Sequence, residues 1–150
     1  MSNKVLNLNS EIRATRYLGI DYGKSRVGLA VADGETGMAF VYGTLDNDKD
    51  FLNNLLEIIN KEKITQVVIG IPSYINRKEV QYDGEKLGKM IKEALPRVEI
   101  EYQNEMFTTK MAQYNLIERG VKGVKKHDDE EAARIILQSW LDGKRVTRNT

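Results

Sequence analysis

Apolar residues fall into two kinds of pattern along this chain, and their order predicts the architecture. Tyr17 to Ile20 and Val27 to Ala32 are short apolar runs, rich in β-branched and small residues, that read as strands. Asp33, Gly34 and Gly37 punctuate a connection to a third strand near Met38 to Tyr42, so the opening reads as an antiparallel meander. The period then changes. Phe51, Leu52, Leu55, Leu56, Ile58 and Ile59 recur at helical spacing, with Asp46 to Asp50 supplying capping candidates. Val67 to Ile71 is continuously apolar, as in a strand covered on both faces. Leu87, Met90, Ile91, Ala94 and Leu95 line a second helix ended by Pro96, and Val98, Ile100 and Tyr102 alternate as a strand. Met111 to Arg119 reads as a third helix, started by Thr108 or Thr109 and ended by Gly120. Ala132, Ala133, Ile135, Ile136, Leu137, Trp140 and Leu141 make a final apolar helix, and their spacing makes Trp140 core, not a base-stacking platform. The predicted class is α/β: a five-stranded mixed sheet, an antiparallel meander plus parallel strands, with helices on both faces.

Composition narrows this picture a little. A chain of 150 residues holds one core. Residues 1–15 are polar and patternless, and are expected to form a flexible extension. The folded domain is expected over 16–142, with a tail over 143–150. No apolar run approaches membrane-spanning length, and no charged-then-apolar leader opens the sequence. Absence of cysteine excludes disulfides and thiol catalysis and suits a reducing compartment, so cytoplasm is the expected location and no membrane partner is expected.

Charge is more informative in its distribution than in its sum. A net charge of +1 excludes a uniformly basic nucleic-acid coat. Arg119, Lys122, Lys125 and Lys126, however, form a glycine-containing basic segment directly ahead of the acidic run Asp128 to Glu131. Cations that hold a phosphate backbone beside acids that hold metal suit an enzyme cutting phosphodiesters. A solvated loop followed by an acidic first helical turn fits the same residues.

Candidate chemistry centres on YLGIDYGKSRVGLAVAD, Tyr17 to Asp33. An apolar strand delivers Asp21 to its end, and Gly23 permits close backbone approach. That arrangement places an acid beside a phosphate or metal, although an Asp that merely bonds its turn looks similar. In the predicted topology the parallel strands end at one rim of the sheet, where open α/β folds bind ligands. Glu105 follows the strand at Val98 to Tyr102, and Asp128 and Asp129 begin the last helix. Converging carboxylates repel one another, and a divalent cation resolves the conflict. Oxygen ligands, with no cysteine and the single His127, point to Mg²⁺ or Mn²⁺ and away from zinc. Arg26 is a phosphate-holding cation or a structural one paired with Asp33 or Asp21, and Lys24 is a weaker candidate in the same turn. Thr108 and Thr109 read as helix caps at a terminus able to meet a phosphate, and His127 as a surface residue or a proton-transfer aid.

Four segments taken in order carry a resemblance: the run Tyr17 to Asp33, VVIGIP at Val67 to Pro72, NEMFTT at Asn104 to Thr109, and KKHDDEEAARIILQSWLD at Lys125 to Asp142. Together they closely resemble the YqgF family, also called RuvX, of Holliday junction resolvases in the ribonuclease H-like superfamily. The resemblance spans Arg16 to Asp142. It implies a metal-dependent nuclease acting on structured nucleic acid, with Asp21, Glu105 and Asp129 as catalytic metal ligands and products carrying 5′ phosphates. Asp128 is the alternative to Asp129 by a one-residue slip. It names two substrates, the precursor of small-subunit ribosomal RNA and four-way DNA junctions. The first is preferred, because symmetric junction cutting needs a dimer and no seam for one is evident; a monomer or weak homodimer is expected.

Departures from the family pattern cluster near the site. Asn104, Glu105 and Met106 stand where the family has Asp-Glu-Arg, so one cation is missing. Ile75, Asn76 and Arg77 replace a Met-Asp-Gly turn, and Arg77 restores a positive charge nearby. The nucleic-acid-binding set is therefore read as Lys24, Arg26, Arg77, Lys122, Lys125 and Lys126. Two rivals remain at this level: an actin-like ATPase, disfavoured by length, and a non-catalytic ribosome-assembly module, favoured by Met106 and opposed by the three acids.

Overall fold

A computed structural model describes residues 15–71, 83–104 and 124–148. Three strands open it: β1 (Arg16–Tyr22), β2 (Arg26–Asp33) and β3 (Ala39–Asp46). Helix α1 (Phe51–Lys61), strand β4 (Gln66–Ile71), helix α2 (Asp83–Ala94), strand β5 (Glu99–Asn104) and helix α3 (Val124–Arg148) follow. The strands form one sheet in the order β3-β2-β1-β4-β5. β1–β2 and β2–β3 are antiparallel, and β1–β4 and β4–β5 are parallel. The mixed five-stranded sheet expected from the sequence is therefore present.

Alternation along each strand divides the core in two. Leu18, Ile20, Val27, Leu29, Val67 and Ile69 face α1 and α2, meeting Phe51, Leu55, Ile59, Leu87 and Ile91. Tyr17, Ala30, Ala32 and Val68 face α3 and meet Ala133, Ile136, Leu137 and Leu141. The second face is built from small residues for a reason: α3 lies directly on the strands. A Cβ at Gly19 would stand 2.7 Å from Leu137 Cβ, and one at Gly28 would overlap the Asp129 carbonyl.

Several boundaries differ from expectation. β3 runs Ala39–Asp46 rather than Met38 to Tyr42, because its ladder with β2 continues to the pair Arg26↔Asp46 beyond the apolar run. Met90 was expected to line α2 inward but is 41% exposed. Ala94 is exposed as well, whereas Leu87 and Ile91 are buried as expected and are joined by Gly84 and Gly88, since the two glycines let α2 settle against Ile69 and Tyr102. α1 is capped at Asp50 without a side-chain bond; the Asp48 carboxylate accepts from the Asp50 N–H at 2.9 Å instead. α3 begins at Val124, not at Asp128, and continues through Arg148 into the stretch read as a tail. Lys125 and Lys126 accordingly lie on a helix rather than in a loop, and Asp129 lies in the second turn. Polar residues joined to a packed helix extend it at little cost per residue, which apolar periodicity cannot reveal. The helix expected over Met111 to Arg119 lies outside the described residues.

Candidate active site

Because β1, β4 and β5 run the same way, Tyr22, Ile71 and Asn104 end at one rim of the sheet, and antiparallel β2 starts there at Arg26. The turn between β1 and β2 is tightly tied. The Gly23 N–H donates to the Arg26 carbonyl at 3.1 Å, and a Cβ at Gly23 would press into that oxygen. Asn47, after β3, holds the turn from outside: its Nδ2 donates to the Gly23 carbonyl at 2.8 Å and its N–H to the Ser25 carbonyl at 2.9 Å. Asp21 and Arg26 thus flank a fixed turn, with Lys24 exposed at its tip.

Register places Asp21 opposite Gly28, so both share the face that α3 covers. The Asp129 backbone rests on Gly28, bringing that helix acid to the strand pair carrying Asp21. Arg26, two residues before Gly28 and on the same face, completes the group: its Nε lies 3.4 Å from Asp129 Oδ2. That distance marks an ion pair rather than a close hydrogen bond. Asp33, one of two sequence-based partners for Arg26, stands at the far end of β2. There it accepts from the Thr36 N–H at 2.8 Å, which is the main reason its carboxyl is held below the ordinary value, and from the Thr36 hydroxyl.

The acids beside Asp129 have other work. Glu130 accepts from the Thr44 hydroxyl of β3 at 3.1 Å, and Glu131 holds Arg134 of its own helix in a two-point ion pair. That pair is the principal cause raising the Arg134 guanidinium further above its ordinary value. Of the three acids whose side chains are described in the run, Asp129 is the one engaged with the rim.

The rim suits a hard divalent cation. Its described donors are carboxylate oxygens, one of them the buried Asp129 Oδ2, and no thiol is available in the chain. No cluster of three or more acidic, histidine or cysteine side chains occurs among the described residues. Glu105, the third sequence candidate, lies one residue past Asn104 and outside them. So do Arg77, Lys122, Met106, Thr108 and Thr109. Lys125, Lys126, His127 and Asp128 lie near the start of α3. Gly28, on which the Asp129 backbone rests, is a position at the candidate site that was not among the sequence candidates. Its signal was present in the alternation of Gly28, Ala30 and Ala32, small residues on one face of a strand.

Comparison with known proteins bears on the family and the fold. The family model described as RuvX, Holliday junction resolvase, matches residues 15–143. A Bacteroides fragilis protein named "Putative pre-16S rRNA nuclease" is 32% identical over 140 residues, covering 88% of this chain and 99% of that protein. A Porphyromonas gingivalis protein of the same name is 34% identical over 135 residues, covering 85% and 96%. Among solved structures, T. thermophilus RuvC in complex with a Holliday junction substrate superposes with a TM-score of 0.57 at 19% identity, over 89% of this chain and 98% of that one. The fowlpox virus resolvase with junction DNA gives 0.58 at 11% identity, over 87% and 99%. At these identities the structures establish the shared ribonuclease H-like fold. The sequence match goes further: this chain belongs to the RuvX family of nucleases, hydrolases of phosphodiester bonds.

Proposed function

We propose that this protein is a divalent-metal-dependent endonuclease that processes the precursor of 16S ribosomal RNA in the cytoplasm. The observation that carries the reading is the seating of Asp129 on Gly28, the cross-strand partner of Asp21. It brings acids 108 positions apart in sequence to one rim, next to a guanidinium. Asp21 and Asp129, with Glu105 as third ligand, would hold Mg²⁺ or Mn²⁺. When bound, such an ion lowers the pKa of a coordinated water and neutralises charge on the leaving oxygen. The chain's own part is positioning. Asp21 is fixed by the β1 ladder and the tied turn, and Asp129 by the weight of α3 on the sheet. Lys24, Arg26, Arg77, Lys122, Lys125 and Lys126 supply cations for the phosphates of the nucleic acid.

The names of the curated relatives favour ribosomal RNA as substrate. The family description and the junction-bound structures of the same fold support a second reading, resolution of four-way DNA junctions. Labelled precursor RNA and labelled four-way junctions, each incubated with Mg²⁺, Mn²⁺ or EDTA, separate the two. Metal-dependent cleavage of the RNA, abolished in Asp21→Asn, is the expected result. Paired symmetric cuts in the junction would favour the second reading, and no cleavage of either substrate would favour a binding module without catalysis.

A further inference from the structure

Arg26 pairs with Asp129, a carboxylate that its sequence position did not suggest as a partner. Its Nε lies 3.4 Å from Asp129 Oδ2, with the two side chains 42% and 24% exposed. Backbone freedom at this position is small. The Arg26 carbonyl accepts the Gly23 N–H, Asn47 braces the turn, and Arg26 pairs with Asp46 in the β2–β3 ladder. The guanidinium, by contrast, ends a long and partly exposed stem, so the head can relocate while the backbone stays in place.

From this arrangement we infer that Arg26 is an exchangeable counter-ion: it neutralises Asp129 in the metal-free protein and is released by the incoming metal to bind a phosphate of the nucleic acid. Three physical points support the exchange. Asp129 sits with Asp21 on one rim, and carboxylates held there are stabilised by a positive charge whether or not a metal is present. A guanidinium is a planar cation with N–H donors for carboxylate oxygens, so it serves until something stronger arrives. A divalent ion on the same carboxylate both outcompetes a partly exposed ion pair and repels the guanidinium. Released from Asp129, the head remains tethered within a side chain's length of the rim, where planar N–H donors match phosphate oxygens. The same residue therefore lowers metal affinity slightly and raises substrate affinity in the loaded enzyme.

This inference rests on the metal-site reading above, and its test distinguishes the two. Calorimetric titration of the metal-free protein with MnCl₂ alone, without nucleic acid, compares wild type, Arg26→Gln and Arg26→Lys. Removing the competing charge should tighten Mn²⁺ binding in Arg26→Gln by about 1.5-fold to fivefold, the range of a partly exposed ion pair. Arg26→Lys, which keeps the charge, should stay near wild type. In a second measurement, labelled RNA is titrated against Ca²⁺-loaded protein at several salt concentrations. Arg26→Gln should bind more weakly, with a salt slope smaller by about one unit, and without divalent ion the slopes should coincide. Mn²⁺ affinity that is equal or weaker in a folded Arg26→Gln, or a slope difference that persists without metal, overturns the exchange and makes Arg26 a fixed contact. Failure of wild type itself to bind Mn²⁺ overturns the metal site and the exchange with it.

Discussion

At the scale of single residues, the absence of a side chain at position 28 matters as much as any acid. Gly28 and Gly19 both lie under α3, but they meet different parts of it. A Cβ at Gly19 meets the Leu137 side chain and the Ala133 carbonyl at 2.9 Å, while one at Gly28 runs into the Asp129 and Glu130 backbone. Backbone cannot rotate aside, so either substitution must lift the helix and strain the core. Gly19→Ala and Gly28→Ala are each expected to cost about 1–3 kcal/mol in denaturant unfolding, the usual range for overpacking. Mn²⁺ affinity should separate them. Lifting α3 at Asp129 displaces a proposed ligand, whereas Gly19 meets α3 one to two helical turns further along, at Ala133 and Leu137. A large loss of Mn²⁺ affinity in Gly28→Ala, with little in Gly19→Ala, is the predicted pattern, and equal losses would remove the special role of Gly28.

At the scale of elements, joints decide more than the elements themselves. Glu62, just past α1, accepts the Tyr42 hydroxyl at 2.9 Å from β3 and faces Arg16 of β1 at 3.5 Å. Burial, followed by the bond to the Glu62 carboxylate and its charge, raises the Tyr42 phenol above its ordinary value. A phenol whose pKa is raised on folding stabilises the fold below the unfolded value of about 10 and loses that contribution as pH climbs through the folded value. Stability should therefore fall above about pH 10. Tyr42→Phe should cost about 0.5–1.5 kcal/mol at neutral pH and flatten that alkaline limb. Some slope should survive, because burial and the nearby Glu85 charge raise Tyr102 as well. Urea midpoints measured from pH 7 to 11 would show it; identical limbs in wild type and variant would mean the bond does not hold the joint. These joints were not legible in the sequence, since neither Tyr42 nor Glu62 belongs to a local pattern. The strands and the apolar parts of the helices were legible, because burial on one or both faces writes itself into spacing. Boundaries were legible only where a breaker stands. The loop after β2 was read from Asp33, Gly34 and Gly37, and the Asp33 and Thr36 bonds form there. The start of α3 was placed late, because Gly123, directly before it, reads equally as part of a glycine-containing basic loop. At the site, Asp21 and Asp129 were legible through strand end and motif, but the pairing of Arg26 with Asp129 required the crossing of α3 over β2.

For the whole molecule, the proposed metal site at the rim implies a balance of charge that a metal should tip. Two carboxylates delivered to one rim by elements at opposite ends of the chain should raise the energy of the metal-free fold, with the Arg26–Asp129 pair offsetting part of that cost. Removing the Asp21 charge then relieves repulsion at little structural cost, because the side chain is only half-buried and its strand is held by ladders on both sides. Asp21→Asn should melt in EDTA at the wild-type temperature or slightly above it, within about 1 kcal/mol of wild-type stability. Metal should reverse the order. Binding at a hundredfold excess over Kd contributes about 2.7 kcal/mol to a protein that has the site, or roughly 5–10 °C for a chain of this size. Wild type should gain that increment in Mn²⁺ and Asp21→Asn should gain little of it, so their melting curves cross between the two buffers. Scans of both proteins in EDTA and in MnCl₂ test the crossing directly. A variant that melts far below wild type even in EDTA would instead make Asp21 a structural turn residue, and the acids at the rim would need another explanation than a shared cation.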